Sequence, residues 1–148
     1  MLKPEKIKSI TFVFIQFLCL GMLAVTGPLI PSIPVLLVIY LVGLGLGIWA
    51  VLSMRIGNFN IIPNPFAWSK LVTSGPYRLI RHPMYLALLL VTLPLVIEEF
   101  TFFRLGIWLV LLFDLLVKLN FEENLLRIKL DGYEQYIQVS SRLIPYLY

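Results

Sequence analysis

Charge and cysteine are both scarce in this sequence of 148 residues. Only 14% of the residues are charged, against roughly 25% in an ordinary soluble domain. The chain has one cysteine, which excludes an intrachain disulfide framework and a zinc cluster built on cysteines. Because Cys19 lies inside an apolar run, we interpret it as a small buried hydrophobe.

Apolar residues are correspondingly abundant. They make up 59% of the chain, and the mean hydropathy is +0.91. A soluble chain this short buries only about two-thirds of the surface it exposes on unfolding, so it would leave too much apolar surface in water. We therefore expect this apolar surface to face lipid. The net charge of +4 comes from basic residues that flank apolar runs, which predicts binding to anionic headgroups rather than to nucleic acid.

Four segments approach the roughly 20 apolar residues that a helix needs to cross the hydrocarbon core. We predict spans at about residues 7–26, 33–54, 82–98 and 102–119. The first follows several lysines, as in a signal peptide, but it is too long and lacks a small-residue cleavage site, so we interpret it as a retained span. We expect the last helix to continue to about Leu130. The predicted fold class is all-α, a polytopic helical bundle forming a single integral membrane domain over residues 1–148.

The basic residues predict the orientation through the positive-inside rule. With four spans, eleven of the twelve Lys and Arg residues fall on one side of the bilayer, and Arg104 sits near the other face. Adding or removing one span would destroy that agreement. We therefore predict that both termini are cytoplasmic, together with the polar segments at about residues 74–86 and 120–146.

The second predicted span carries glycines at a spacing that is typical of helix–helix contacts. Gly43 and Gly47 have the GxxxG spacing that permits two helices to approach closely in lipid. A nucleotide-binding loop is excluded because no strand precedes the glycines. We predict that both residues serve helix packing.

Unusual polar residues concentrate in two blocks, the first at the start of the third span. Pro83 suits the first turn of a helix, where a missing N–H costs nothing. His82 then lies near the N-cap, where free backbone N–H groups favour an anion. The same block carries guanidinium donors and aromatic faces, on Arg78, Arg81, Tyr77 and Tyr85. It can hold a carboxylate-bearing ligand beside a flat ring, or it is an ordinary interfacial belt of Tyr and Arg anchors.

The second block lies where the fourth span leaves the membrane. Glu122 and Glu123 are adjacent, so on a helix their side chains diverge by about 100°. Glu123 and Arg127 are four residues apart and can pair, and we expect Arg127 to orient a substrate carboxylate while Glu123 holds it. Asp114 and Lys118 have the same spacing. We interpret them as a local ion pair, although an acid inside a span is also a functional candidate.

Ordered motifs run through the C-terminal two-thirds of the chain. They are Asn60-Ile61-Ile62-Pro63-Asn64-Pro65, Gly75-Pro76-Tyr77-Arg78-x-x-Arg81-His82-Pro83-x-Tyr85, Glu122-Glu123, Tyr133, Tyr136 and Arg142-Leu143-Ile144-Pro145. Over about residues 57–146 this combination resembles the isoprenylcysteine carboxyl methyltransferase and phospholipid methyltransferase superfamily. The ordered set is specific, whereas the Arg-His-Pro-x-Tyr element alone is moderate support.

The resemblance implies a multispan membrane enzyme that methylates a lipophilic substrate with S-adenosylmethionine, yields S-adenosylhomocysteine and needs no metal. The family's cofactor contacts carry over to His82, Pro83, Tyr85, Glu122 and Glu123. The chemistry of the ligand adds Arg81 for its carboxylate and Tyr77 for its ring or sulfonium. Many members have glycine two residues after the motif tyrosine, where this chain has Ala87, which is small enough to keep the packing role.

The expected acceptor is a carboxylate, as in isoprenylcysteine-type O-methylation, and other activities stay open. Within methyl transfer, the alternatives are N-methylation of a lipid amine headgroup and S-methylation of a small thiol. From other classes, they are an NADPH-dependent membrane reductase and a non-enzymatic membrane partner. S-adenosylhomocysteine should stabilise the protein if it is a methyltransferase, and NADPH should stabilise it if it is a reductase. Neither ligand should stabilise a non-enzymatic partner. The acceptor's identity and the oligomeric state stay open as well.

Overall fold

The computed structural model describes residues 4–54 and 71–145, and the described chain is helical. Its elements are α1 (Pro4–Val25), α2 (Pro34–Met54), a 3₁₀ turn (Gly75–Arg78), α3 (Pro83–Glu98), α4 (Phe102–Lys129) and α5 (Tyr133–Val139). The prediction of an all-α fold is confirmed, and α1 to α4 lie where the spans are predicted. The basic residues Lys3, Arg55 and Lys70 and the Asn60–Pro65 motif lie outside the described residues.

Two of the described helices, α1 from Glu5 to Val25 and the whole of α2, are long and apolar enough to cross a membrane by length and composition. α3 is apolar, but its 16 residues rise only about 24 Å, against a hydrocarbon core of about 30 Å. α4 is longer, at 28 residues, but it carries several charged side chains. The four-span count and the orientation therefore stay predictions.

The hydrophobic core lies between α1, α3 and α4. It includes Cys19, Leu23, Tyr85, Leu89, Val96, Ile107, Leu111, Leu115 and Leu119. Cys19 is a buried free thiol, as predicted. Large apolar side chains also cover the outside of the bundle, among them Phe14, Ile48 and Phe113. Apolar exposure on this scale is unusual for a soluble monomer and suits a helix surface that faces lipid.

α2 packs against α3 through its glycines. A Cβ added at Gly43 would lie 2.8 Å from Leu90 Cβ and 3.0 Å from the Leu90 carbonyl carbon, so a larger residue would push the helices apart. A Cβ at Gly47 would lie 3.4 Å from Ala87 Cβ. The predicted packing role is thus confirmed for Gly43. At Gly47 a Cβ would make an ordinary van der Waals contact with Ala87, so the approach there does not require glycine.

The turn before α3 is held against the end of α2. Gly75 has φ +60°, and a Cβ there would lie 2.1 Å from Ser53 Oγ. Only glycine combines this left-handed backbone with such a close approach. Tyr77 and the residues that lead into α3 are thereby fixed beside α2, next to the polar blocks.

At the opposite end of the bundle, polar side chains tie helix ends together. Arg104 is buried and donates to Leu23 O at 3.2 Å, to Thr26 Oγ1 at 3.2 Å and to Leu95 O at 2.7 Å. These acceptors lie near the C-terminal ends of α1 and α3, where carbonyls lack helical partners. Arg104 therefore clamps three helices.

Candidate functional site

The start of α3 and the C-terminal half of α4 meet at one end of the bundle. His82 is the N-cap of α3 and Pro83 is its first residue, as predicted. His82 Nδ1 lies 3.5 Å from Glu122 Oε2, and its Nε2 lies 3.4 Å from Glu123 Oε1. The two carboxylates diverge on α4, yet both reach the same imidazole because the ring inserts between them.

Glu123 is the most enclosed acid of this site, at 1% exposure. Its Oε1 accepts a hydrogen bond from Arg81 Nε at 2.7 Å, and its Oε2 lies 3.0 Å from Arg142 Nη2. Burial alone would raise its pKa. The hydrogen bonds and charges of His82 and Arg81 outweigh burial and lower the pKa of Glu123 to about 2. Glu123 is therefore a fixed negative charge that holds two arginines and a histidine.

Arg81 connects this charge to the C-terminal segment. Besides Glu123, its guanidinium donates through Nη1 to Ile137 O at 3.2 Å and to Ser140 O. The predicted role of Arg81 was to bind a ligand carboxylate. The contacts of Nε and Nη1 align Glu123 with the turn that follows α5. Arg81 also lines the cavity beside these residues, and its role in binding a ligand carboxylate stays a prediction.

The backbone around His82 pairs with the same C-terminal segment. The Arg81 N–H donates to Ser141 O at 2.8 Å, the His82 N–H donates to Arg142 O at 3.0 Å, and the Ser141 N–H donates to Leu79 O at 2.9 Å. The His82 N–H, expected to be open to an anion, is thus satisfied within the protein. The pairing brings Arg142 to Glu123. Sequence reasoning missed this contact because it forms only when the C-terminal segment folds back against the start of α3.

Tyr85 stacks on His82, with ring centroids 5.3 Å apart and an angle of 13° between the planes. Its ring also faces a cation, Lys118 Nζ, at 5.1 Å from the centroid. A ligand sulfonium would therefore compete with Lys118 for this ring. Tyr85 lies in the site as predicted, but its ring already contacts His82 and Lys118.

Tyr77 is also brought in, and it forms a small cluster with the tyrosines of α5. Tyr136 Oη donates to Tyr77 O, and the rings of Tyr133 and Tyr136 lie 5.9 Å apart. Burial raises the pKa of all three hydroxyls, that of Tyr136 to about 12. They stay protonated at neutral pH, so they can donate hydrogen bonds but do not act as bases.

A cavity of about 620 Å³ opens beside these residues. Tyr77, Arg81, His82 and Glu122 line its charged end, and the rest is lined mainly by apolar side chains of α1, α2 and α3. Its volume lies within the range of about 300–1,000 Å³ that is common for small-molecule sites. The cavity therefore joins a charged end to a long apolar body.

Lys118 and Gln16 also line the cavity, and sequence reasoning missed their contact. Lys118 Nζ donates to Gln16 Oε1 at 2.8 Å. The expected direct ion pair between Asp114 and Lys118 does not form within the described ranges, although the two charges still attract each other. Lys118 turns instead toward α1 and Tyr85. A lysine inside a predicted span was the signal that pointed to this position.

The expected pair between Glu123 and Arg127 does not form in the described structure. Arg127 Nε lies 3.7 Å from Glu134 Oε1, and both side chains are largely exposed. Glu123 points inward because His82 and Arg81 hold it there, while Arg127 lies on the outer surface of α4. Arg142 makes the contact with Glu123 that was expected of Arg127.

The chain was compared with known protein families. A family model described as phospholipid methyltransferase matches residues 33–130, about two-thirds of the chain. The matched region holds α2, α3 and α4, with His82 and both glutamates of the site. No curated protein matches the chain.

Proposed function

The chain belongs to the phospholipid methyltransferase family, and from that premise we propose that it is an S-adenosylmethionine-dependent methyltransferase acting on a lipophilic carboxylate. Methyltransferases of this family act in the membrane on lipid-like substrates. The cavity carries the proposal, because one end holds His82 between Glu122 and Glu123 and the remainder is apolar. A polar methyl donor and a hydrocarbon acceptor need a site with these two parts.

The charged end fits the polar groups of S-adenosylmethionine. Glu123 is occupied by Arg81 and Arg142, which leaves Glu122 as the carboxylate for the ligand ammonium. Glu122 lines the cavity, and its side chain is 18% exposed. Tyr77 Oη is buried and has no hydrogen-bond partner among the described residues, so it offers a donor to the ligand.

The reaction places few demands on proton transfer. S-adenosylmethionine supplies a methyl group on a sulfonium: the acceptor oxygen forms the new O–C bond while the S–C bond breaks, and a neutral ester and a neutral thioether result. The residues of the chain contribute alignment and the exclusion of water. An amine acceptor would need a base. The buried tyrosine hydroxyls, with their raised pKa values, do not provide one, whereas a carboxylate acceptor needs none.

The proposal includes four spans, with both termini and the charged end of the cavity on the cytoplasmic side. The distribution of basic residues supports this orientation. Cysteine labelling tests it, because Cys19 is the only cysteine. In a Cys19→Ser background, Asp131→Cys should react with an impermeant maleimide only from the cytoplasmic side and Ser32→Cys only from the other. The reverse pattern would reject the orientation, and labelling of both from one side would reject the span count.

Calorimetry on the purified protein tests the activity. S-adenosylhomocysteine should bind the wild type, and Glu122→Gln should weaken binding by roughly tenfold or more, the usual size of a lost charge-assisted contact. Transfer of a labelled methyl group should then follow to a long-chain carboxylate and not to the matched amine or thiol. Binding of NADPH instead would favour the reductase. Binding of neither ligand would favour a non-enzymatic partner.

A further inference from the structure

The side chain of Lys118 is a buried cation in the cavity wall, and the proposed function does not assign a role to it. Lys118 is 2% exposed and lies on the wall of the cavity. Its Nζ donates to Gln16 Oε1 at 2.8 Å and lies 5.1 Å from the centre of the Tyr85 ring, and both of these neighbours are neutral. An ammonium group in an apolar site is costly unless an anion accompanies it. In the described ranges no carboxylate lies within ion-pair distance of Lys118.

The carboxylates nearest to Lys118 along α4 are those of Glu122 and Asp114. Glu122 follows Lys118 by one helical turn, and its Oε2 lies 3.5 Å from His82 Nδ1. Asp114 precedes Lys118 by one turn, and it is not among the described residues that line the cavity. Arg81 also lines the cavity, and it pairs with the buried Glu123. Glu122 and Asp114 attract the Lys118 ammonium through space, but within the described ranges neither carboxylate forms a direct ion pair with it.

We propose that Lys118, held by Gln16, binds the anionic group of the lipophilic acceptor; this inference rests on the proposed function and names the part of the site that selects a carboxylate. Four residues of helix separate Lys118 from Glu122, a rise of about 6 Å. A carboxylate at Lys118 therefore lies beside the charged end, where the methyl donor is placed. Apolar side chains of α1 and α2, such as Phe17, Leu20 and Ile48, receive the hydrocarbon chain.

The same contact favours release of the product. Methylation converts the acceptor carboxylate into a neutral ester, so the attraction to the Lys118 ammonium is lost when the O–C bond forms. The ester keeps its hydrocarbon chain and returns to the bilayer. Lys118 therefore makes the site prefer acceptor over product, and this preference is measurable without turnover.

Binding of two matched probes tests the proposal. In nanodiscs of phosphatidylcholine with saturating S-adenosylhomocysteine, the wild type should bind palmitate roughly tenfold or more tightly than methyl palmitate, as expected for a hydrogen bond to a charged group. Lys118→Met should abolish the preference, and Lys118→Arg should retain part of it. Lys129→Met, the same change at an exposed position of α4, should behave as the wild type.

Three results would overturn the proposal. The first is a Lys118→Met variant that binds S-adenosylhomocysteine normally and still prefers palmitate. The second is a wild type that binds palmitate and its methyl ester equally, a result that needs no variant to fold. The third is a wild type that prefers hexadecylamine to palmitate. Failure of the wild type to bind S-adenosylhomocysteine would instead reject the proposed function, so the two failures are distinguishable.

Discussion

In the described part of the chain, each end of the helical bundle buries one arginine side chain, and the two arginines have different partners. At one end Arg104 donates to three neutral oxygens, two of them carbonyls near the C-terminal ends of helices. At the other end Arg81 donates to the ionised carboxylate of Glu123 as well as to carbonyls. Carbonyls at helix ends carry partial negative charge, which suffices to hold a buried guanidinium. A full carboxylate does more, since it also recruits Arg142 and His82.

The difference separates a structural clamp from a prearranged site. The groups around Arg104 join α1, α3 and α4, and neither Arg104 nor its partners line the described cavity. The groups around Arg81 fix Glu123 and His82 beside an open cavity, where a ligand meets charges that are already in place. The comparison predicts that the two ends respond differently to substitution: one in stability alone, the other in stability and ligand binding.

The largest effect is expected for Glu123→Gln. The amide keeps the shape, but its NH2 group would face either Arg142 or Arg81, donor against donor. Removing one partner of a buried ion pair costs about 3–5 kcal/mol. We expect the apparent melting temperature to fall by roughly 10 °C or more and the affinity for S-adenosylhomocysteine to fall at least about a hundredfold. Thermal unfolding and calorimetry measure both, and normal binding in the variant would contradict the role of Glu123.

The next effect is expected for Arg104→Met, which keeps the length of the side chain and removes its donors. Leu23 O, Leu95 O and Thr26 Oγ1 would lose their partner, and each unsatisfied buried group costs about 1–3 kcal/mol. The melting temperature should fall by several degrees, while S-adenosylhomocysteine should bind within about twofold of the wild type. Arg104→Lys should recover part of the stability. Loss of ligand binding in Arg104→Met would break the comparison, because the two ends would then be coupled.

The helices of this protein were predictable from the sequence because their signals are local. Long apolar runs determine the helices, and glycine spacing determines how closely α2 approaches α3. Pro83 marks the start of α3, and its effect is confined to its own turn. The adjacent pair Glu122 and Glu123 was identified in the same way, by residue type and by position at the end of an apolar run.

The partners of the charged side chains were not predictable in the same way. The i, i+4 rule applies to an isolated helix, where Glu123 and Arg127 have only each other. In the folded chain Glu123 meets Arg81 and Arg142 from distant segments, and a buried guanidinium contact outweighs an exposed one. Lys118 follows the same logic, since Gln16 comes from the opposite end of the sequence.

A smaller effect is expected in the dependence of stability on pH. The pKa of Glu123 is about 2 in the folded protein, below the value of about 4.3 for a free glutamate. Its contribution to stability is therefore complete above about pH 4.3 and is lost as the pH falls toward 2. The difference in melting temperature between the wild type and Glu123→Gln should be constant from pH 5 to 8 and shrink at lower pH. A difference that already shrinks near pH 6 would show that Glu123 titrates more easily than its contacts allow.

The smallest effect is expected for Arg127→Ala, and its matched partner is Arg142→Ala. The Arg127–Glu134 contact is long, at 3.7 Å, and lies in solvent, where an ion pair contributes about 0–1 kcal/mol. Arg142 Nη2 lies 3.0 Å from the buried Glu123 carboxylate, so its loss leaves one more uncompensated oxygen at the site. Calorimetry with S-adenosylhomocysteine should show affinity unchanged within about twofold for Arg127→Ala and lowered several-fold for Arg142→Ala. The reverse order would return the orienting role to Arg127 and would mean that α4 rotates when ligand binds, because its outer face would then have to reach the cavity.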